Sequence, residues 1–221
     1  MSSGDLVIPV FVNFVMGYIL GSIPFAYLVT QGVAKVDIRS VGSGNVGGYN
    51  AYIVTQSKWT GLLVIVLDCL KGLVAVQASL WLYPDSYLSQ CVALLGALGG
   101  HNYSIWLGFK GGRGLATAAG GMLLLGPSYA VVWSVAWLIV KTLKRDILTS
   151  NLVAILVTPP ILWILPWSLT LALVSVRVES STFLFFSCIL SAVLLLSHLD
   201  ALRDIWKGAK TNDSQSRSST I

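Results

Sequence analysis

Two glycine-rich stretches, residues 39–50 and 100–117, carry side chains suited to binding and chemistry. Each interrupts a long apolar run and mixes glycine with basic, hydroxyl or amide side chains. Glycine lets backbone N–H groups form an anion-binding nest, and lysine or arginine beside such a nest favours phosphate. We therefore predict one site for phosphorylated ligands. Its candidates are Arg39, Gly42, Ser43, Gly44, Asn45, Gly47 and Asn50 in the first stretch, and His101, Lys110, Gly111, Gly112 and Arg113 in the second.

Each stretch also has a simpler interpretation. The first stretch could be a flexible loop with turn glycines. In the second stretch, Lys110 and Arg113 could be simple membrane anchors. Simple anchors do not need so many glycines around them, and a helix that begins near Gly114 would direct free N–H groups and the positive end of its dipole at the same ligand. His101, at the end of a predicted helix, could belong to this site or be a capped or hydrogen-bonded structural residue.

Two ionisable residues, Asp68 and Lys71, lie within one apolar run and on the same helical face. An ion within a membrane span costs about 2.5–3.5 kcal/mol, and ions in such positions usually belong to a site. Asp68 would then support Lys71 and direct it toward an anionic substrate. The alternative is a structural pair that cancels its own charge. His198, near the end of the last apolar run, could join the site or be an interfacial polar residue.

The composition indicates the class of protein that positions these groups. The chain has 221 residues, of which 55% are hydrophobic and 10% charged, whereas soluble domains carry about 25% charged residues. The chain is therefore predicted to be an integral membrane protein. In a membrane protein, a net charge of +5 indicates basic residues in the cytoplasmic loops. The expected partners of these residues are anionic lipid headgroups, and not nucleic acid.

The apolar runs predict an all-α membrane bundle of about seven helices. The expected spans are residues 6–31, 59–83, 88–107, 115–125, 129–140, 147–176 and 181–199, with a kink at Pro24 and interruptions at Pro159–Pro160 and Pro166. Gly17 with Gly21, and Gly96 with Gly100, form close-packing GxxxG pairs. Residues 1–207 would form the membrane domain, and the polar tail 208–221 would be disordered.

The distribution of basic residues predicts an outside N-terminus and a cytoplasmic C-terminus. Only Arg177 then falls outside, and Lys71 lies in the membrane. Both glycine-rich stretches lie inside, where phosphorylated metabolites are found. The remaining cations also fall inside: Lys35, Arg39, Lys58, Lys110, Arg113, Lys141, Lys144, Arg145, Arg203, Lys207, Lys210 and Arg217.

Other chemistries find little support. The chain has two histidines and three cysteines, without the clustering of a metal site or the pairing of a disulfide framework. The cysteines are expected to be buried free thiols, and no metal or cofactor is predicted. Neither a Walker A loop nor a Gly-x-Ser-x-Gly nucleophile elbow is present.

Taken together, these motifs resemble the bacterial acyl-phosphate:glycerol-3-phosphate acyltransferases of the inner membrane. The resemblance covers most of the chain. It is carried by residues 21–28, 37–50, 68–72 and 100–117, and more weakly by Thr149–Ser150 and residues 197–200. On this resemblance the catalytic candidates are Ser43, Asn45, His101 and Lys110, and His101 could orient or deprotonate the acceptor hydroxyl. Ser150 joins His198 among the substrate-binding candidates.

The resemblance implies transfer of an acyl chain from acyl phosphate to the 1-hydroxyl of glycerol 3-phosphate, giving lysophosphatidate and phosphate without a cofactor. The chain departs from the family pattern at several positions, which indicates a divergent paralogue with altered acceptor, donor or activity. A membrane protein that binds or transports a phosphorylated solute or lipid is the alternative. The departures are Gly48, Tyr49, Ile53, Ser104, Arg113, Ala201 and Asp204.

Overall fold

A computed structural model describes residues 3–144, 146–200 and 202. These residues form α-helices joined by loops and two short 3-10 turns, so the fold is all-helical as predicted. The predicted tail 208–221, together with Arg145, Ala201 and Asp204, lies outside the described residues. The helices are α1 Ser3–Ser22, α2 Phe25–Ala34, α3 Gly48–Thr55, α4 Lys58–Leu82, α5 Tyr87–Asn102, α6 Leu115–Leu125, α7 Pro127–Lys144, α8 Ile147–Ile164, α9 Trp167–Thr170 and α10 Ser180–Leu196.

Three helical segments within the described residues are long and apolar enough to cross a membrane: Val7–Ala34, Lys58–Leu82 and Ile147–Ile164. Shorter apolar helices, Leu115–Leu125, Pro127–Leu143 and Ser180–Leu196, accompany them. Buried apolar side chains, mainly from α5, α6, α8 and α10 with one each from α4 and α7, form the largest core cluster. Aliphatic and aromatic side chains also cover much of the outer surface of the bundle, as lipid contact requires.

The first apolar segment breaks at Ile23–Pro24 into α1 and α2, at the proline where the sequence predicts a kink. Proline lacks the N–H that a continuous helix would use. By contrast, the predicted interruption at Pro159–Pro160 is wrong, because α8 continues through both prolines to Ile164. The Thr158 hydroxyl donates to the Ala154 carbonyl at 2.7 Å in the turn before them. The helix ends instead before Pro166.

Two further expectations are corrected. The polar segment 32–57, between the first two predicted spans, is expected to be a loop, but residues 48–55 form α3, which packs on α4 through Gly48 and Gly61. Of the cysteines expected to be buried, only Cys91 is; Cys69 is half-buried and Cys188 is exposed on α10.

The two GxxxG pairs pack against each other between α1 and α5. A methyl group on Gly17 or Gly21 would overlap the carbonyls of Ala93 and Ala97, respectively. In return, a methyl group on Gly96 or Gly100 would overlap the backbone of α1. This close approach of two backbones is the packing that small residues permit in membranes.

Replacing Gly21 with alanine should therefore destabilise the protein by about 1–3 kcal/mol, the usual cost of overpacking a close contact. Gly32→Ala is the matched control, because no atom lies within 4 Å of the added methyl group. The midpoint of heat unfolding in detergent measures both variants. Equal midpoints for the two variants would contradict the close α1–α5 packing.

The loops meet at two ends of the bundle. At one end lie loop 1 (residues 35–47) and loop 2 (residues 103–114), linked by a 3.2 Å hydrogen bond from the Arg39 guanidinium to the Leu107 carbonyl. At the other end, the Ser175 N–H donates to the Leu124 carbonyl at 3.0 Å, and the Tyr87 hydroxyl donates to the Leu125 carbonyl at 3.2 Å. The two glycine-rich stretches therefore share one end, which also carries Lys35, Arg39, Lys58, Lys110 and Arg113.

Candidate active site

Loop 1 is organised around the buried side chain of Asn50, in the first turn of α3. The Asn50 amide oxygen accepts from the Ser43 N–H at 3.0 Å, and its nitrogen donates to the Ile38 and Val41 carbonyls at 3.1 Å each. Gly42 has a φ of +60°, which favours glycine, and a side chain here would overlap the Asn50 amide. Asn50 and Gly42 thus shape the turn that presents Ser43.

Ser43 and Asn45 lie at the accessible part of this turn. The Asn45 N–H donates to the Ser43 hydroxyl at 3.4 Å. Ser43 is exposed and Asn45 half-buried. Gly44 has a φ of +68°, and the extended Gly47 precedes α3 as its N-cap. The first stretch is therefore an ordered turn with a serine and an asparagine at its surface.

Loop 2 folds back on the end of α5 and touches loop 1. The Gly112 N–H donates to the His101 carbonyl at 3.1 Å. A side chain on Gly112 would overlap both the His101 ring nitrogen Nε2 and the Val46 carbonyl, so this glycine fits between α5 and loop 1. The absence of a side chain at Gly112 is what brings the two glycine-rich stretches together.

An open cleft of about 290 Å³ lies between these loops and the end of α10. Lys110 is exposed at the cleft, and Arg113 is half-buried there. The cleft is also next to Gly114, the N-cap of α6, where the first helical N–H groups lack helical partners. The residues that line it are Ser43, Gly44, Asn45, Asn102, Tyr103, Phe109, Lys110, Gly111, Gly112, Arg113, Leu196, Ser197 and Asp200.

A buried ionic cluster lies in a separate small cavity of about 10 Å³, the room of a single water molecule. The Lys71 ammonium is 2.9 Å from the Asp68 carboxylate and donates to the Ile23 carbonyl at 3.1 Å. The His101 Nδ1 atom is 3.6 Å from the same carboxylate. Gly111 lines both this cavity and the cleft, so the cluster lies behind residues 108–114 of loop 2, which we call the glycine loop.

Most of the predicted site residues fall into three groups. Ser43, Asn45, Lys110 and Arg113 line the cleft, with Gly44, Gly111 and Gly112. Lys71, Asp68 and His101 form the buried cluster instead, and Gly42 and Asn50 shape loop 1. None of these last five appears in the lining of the cleft.

Arg39 is held beside the cleft and not in its lining. Its guanidinium hydrogen-bonds Asp37, with the shortest N–O distance 2.6 Å, and stacks over the Tyr27 ring at 5.5 Å. The hydrogen bonds from Arg39 hold the pKa of the Asp37 carboxyl below its ordinary value. With its bond to the Leu107 carbonyl, Arg39 ties loop 1 to loop 2.

Ser150 and His198 are buried and likewise outside the lining of the cleft. The Ser150 hydroxyl donates to the Asp146 carbonyl in the first turn of α8. The His198 Nδ1 atom is 2.7 Å from the Leu194 carbonyl. Its neighbour Ser197 does reach the cleft and donates to the Arg113 carbonyl at 2.8 Å.

The sequence prediction omits several residues of the cleft, namely Asn102, Tyr103, Phe109, Ser197 and Asp200. Asn102 directly follows His101, and Phe109 precedes Lys110, so adjacency to the predicted residues was an available signal. Phe109 also has a φ of +61°, a strained conformation for a bulky side chain. Ser197 and Asp200 belong to the weaker C-terminal motif.

Of the family departures, Tyr49 and Ile53 lie on the exposed face of α3, 54% and 37% accessible. Neither lines the cleft. Ser104 is buried, and its hydroxyl donates to the Ser22 carbonyl at 2.6 Å, so it ties loop 2 to the end of α1.

Asn50→Ala should loosen loop 1, because it removes three hydrogen bonds and leaves the Ile38 carbonyl buried without that donor. We expect the rate of tryptic cleavage after the exposed Arg39 to rise by at least about fivefold. Gln56→Ala is the control, since that exposed amide makes one local bond, to the Ile53 carbonyl. Equal cleavage rates in both variants would contradict the role given to Asn50.

The fold and cleft define a helical membrane protein with an open cleft, lined by basic and polar side chains, at one end. The family model described as glycerol-3-phosphate acyltransferase matches residues 11–208, and the chain belongs to this family. It is 33% identical to the glycerol-3-phosphate acyltransferase of Agrobacterium fabrum, over 90% of each chain. It is 40% identical to that of Allorhizobium ampelinum, over 68% of this chain and 72% of the relative.

Solved structures agree with this membership. The chain superposes on a crystal structure of PlsY, an integral membrane glycerol 3-phosphate acyltransferase, in its glycerol 3-phosphate form. The TM-score is 0.72 at 28% identity, with 90% of this chain and 92% of PlsY covered. The lysophosphatidic acid form of PlsY gives the same TM-score at 26% identity, with the same coverage.

Proposed function

We propose that this protein transfers an acyl chain from an acyl phosphate to the 1-hydroxyl of glycerol 3-phosphate. The products are lysophosphatidate and inorganic phosphate, and this is the first step of phospholipid synthesis. The observation that carries the proposal is the cleft that brings Ser43 and Asn45 together with Lys110 and Arg113. The names of the family and of its relatives support the same acceptor.

The cleft suits a reaction between two anions. Two phosphorylated substrates repel each other, so a site that binds both needs cations and oriented N–H donors. In our proposal Ser43 and Asn45 bind one phosphate with the backbone of loop 1. Lys110 and Arg113 bind the other, beside the N-terminus of α6. Arg39 keeps the two loops together through Asp37 and the Leu107 carbonyl.

The reaction follows from this placement. The 1-hydroxyl oxygen of glycerol 3-phosphate attacks the carbonyl carbon of the acyl phosphate, and the bond from that carbon to the phosphate oxygen breaks. The phosphate leaves with the electron pair and takes the hydroxyl proton, so no side chain has to act as base. The Lys110 ammonium stabilises the negative charge that develops on the reacting groups.

His101 and Lys71 have supporting roles in this proposal. Both are buried behind the glycine loop, and the His101 ring packs against Gly112. A shift of His101 would therefore move Gly112 and, with it, the backbone between Lys110 and Arg113. We assign the cluster of Asp68, Lys71 and His101 to positioning the glycine loop.

We further propose about seven membrane crossings, with the N-terminus outside and the C-terminus in the cytoplasm of a bacterial inner membrane. The support is the placement of loops 1 and 2, with their cations, at one end of the bundle. Cysteines introduced at Asp85 and at Ser40, in a chain without its native cysteines, test this topology. A membrane-impermeant maleimide should label only the Asp85 position in intact spheroplasts, and the reverse pattern would contradict the proposed orientation.

The decisive experiment is phosphate release by the purified protein from palmitoyl phosphate, with and without glycerol 3-phosphate. The proposal expects release that depends on the acceptor, together with lysophosphatidate in equal amount. Saturable binding of glycerol 3-phosphate without release would instead identify a binding or transport protein. Release that does not depend on the acceptor would show a phosphatase.

A further inference from the structure

The side chain of Asn102, the last residue of α5, is the least explained polar group at the cleft. Asn102 is only 8% exposed, yet it lines the cleft beside Lys110 and Arg113. Its amide oxygen is buried and accepts no hydrogen bond from the residues that the structure describes. A buried amide oxygen without a donor usually costs about 1–3 kcal/mol, so its presence needs a reason.

The position of this amide is defined by its neighbours. The Asn102 oxygen packs against Gly114, which has a φ of +79°. A methyl group added to Gly114 would lie only 2.9 Å from this oxygen. Gly114 is the N-cap of α6, so Asn102 lies next to the helix end that we assign to a phosphate. Exchanging the oxygen and nitrogen of the amide would still leave a buried polar group at this wall of the cleft.

We infer that Asn102 is a specificity-determining residue that binds the secondary hydroxyl of glycerol 3-phosphate. This inference rests on the proposed function of the cleft. An amide offers both a donor and an acceptor, as a hydroxyl does, whereas a phosphate offers only acceptors and would leave the amide oxygen unpaired.

The secondary hydroxyl fits this role better than the reacting one. The 1-hydroxyl loses its proton during transfer, and an amide oxygen is too weak a base to take it. The 2-hydroxyl keeps its proton and lies between the reacting carbon and the phosphate of the acceptor. An amide beside the phosphate subsite is therefore well placed to bind it.

A site built to bind a hydroxyl strongly rejects an analogue that lacks it, because the buried polar group then stays unpaired. The test compares glycerol 3-phosphate with 3-hydroxypropyl phosphate, which lacks the secondary hydroxyl. We expect wild-type kcat/KM to favour glycerol 3-phosphate by about 10- to 100-fold. In Asn102→Leu the preference should fall to within about threefold.

The ratio of the two kcat/KM values is independent of how much of a variant is folded, because both acceptors meet the same protein. Asn102→Ala serves as a second variant if leucine is not tolerated. Asn13→Leu is the matched control: Asn13 is also buried, with its amide oxygen unpartnered among the described residues, but it does not line the cleft. Its preference should equal that of the wild type.

An unchanged preference in the Asn102 variants would overturn the inference, as would an equal loss for both acceptors. Wild-type protein without any turnover would contradict the proposed function instead. In that event the affinities of the two phosphates for the wild type and for Asn102→Leu, measured by titration calorimetry in detergent, provide the same comparison. A selective loss of affinity for glycerol 3-phosphate supports the role of Asn102, and equal changes overturn it.

Discussion

Lys110→Ala should lower kcat/KM for glycerol 3-phosphate by about 100- to 1,000-fold, the usual effect of removing one group that stabilises developing charge. Lys110 is exposed at the cleft between the two loops. Its side chain packs little, so heat unfolding should change by less than about 0.5 kcal/mol. The measurement is acceptor-dependent phosphate release by protein purified in detergent.

Lys58→Ala is the control for this loss of charge. Lys58 is an exposed lysine at the start of α4, stacked over Trp59 at 5.6 Å, and it lies at the same end of the bundle. Its removal changes the net charge equally but takes nothing from the cleft. Lys110→Arg should recover part of the activity, because it keeps the charge in a different geometry. Activity of Lys110→Ala close to that of Lys58→Ala would refute the catalytic role of Lys110.

Asp68→Asn should destabilise the protein by about 3–5 kcal/mol, because it leaves the Lys71 ammonium buried without its counter-charge. The ion pair is 2.9 Å long, and both side chains are about 3% exposed. Asparagine has nearly the same shape as aspartate, so the loss of stability would come from the missing charge and not from changed packing. The midpoint of heat unfolding in detergent, compared with that of wild type, measures it.

The double variant Asp68→Asn/Lys71→Met separates the structural role of this pair from a chemical one. With both ions removed, stability should return to within about 1–2 kcal/mol of wild type. If the ion pair contributes only to stability, the double variant should also recover turnover. A stable double variant without turnover would show that turnover needs the ion pair beyond its effect on stability, and a single Asp68→Asn variant as stable as wild type would contradict the buried ion pair.

Much of the fold could be predicted from apolar runs and helix breakers. The GxxxG pairs predicted close helix packing, although not that α1 and α5 would be the partners, and Pro24 predicted a kink where α1 and α2 separate. Pro159 and Pro160 misled the prediction, because a helix surrounded by apolar contacts can continue where local sequence favours a stop. Helix α3 was missed because Gly47 and Gly48 suggest a loop, and its packing on Gly61 of α4 is tertiary.

The candidate site could be predicted in part. Asp68 and Lys71 are three residues apart, so their pairing follows from helical geometry. That His101 joins them cannot be read from spacing, because it depends on how α5 packs beside α4. The same holds for Asn50: a surface asparagine and one that fills the interior of a loop are identical in sequence. Side chains that line the cleft only through tertiary packing, such as Ser197, were missed for this reason.

The ion pair on α4 also bears on how the chain enters the lipid. Because Asp68 and Lys71 share one helix, the ribosome delivers both charges within a single turn, and the segment partitions into the bilayer as a neutral unit. If the counter-ion came from a later helix, the acidic residue would first lie unpaired in the bilayer, at a cost of several kcal/mol. The Ile23 carbonyl, synthesised earlier at the break before α2, is already present to receive Lys71. His101 lies on α5, which is synthesised later, so we expect it to join a pair whose charges already balance.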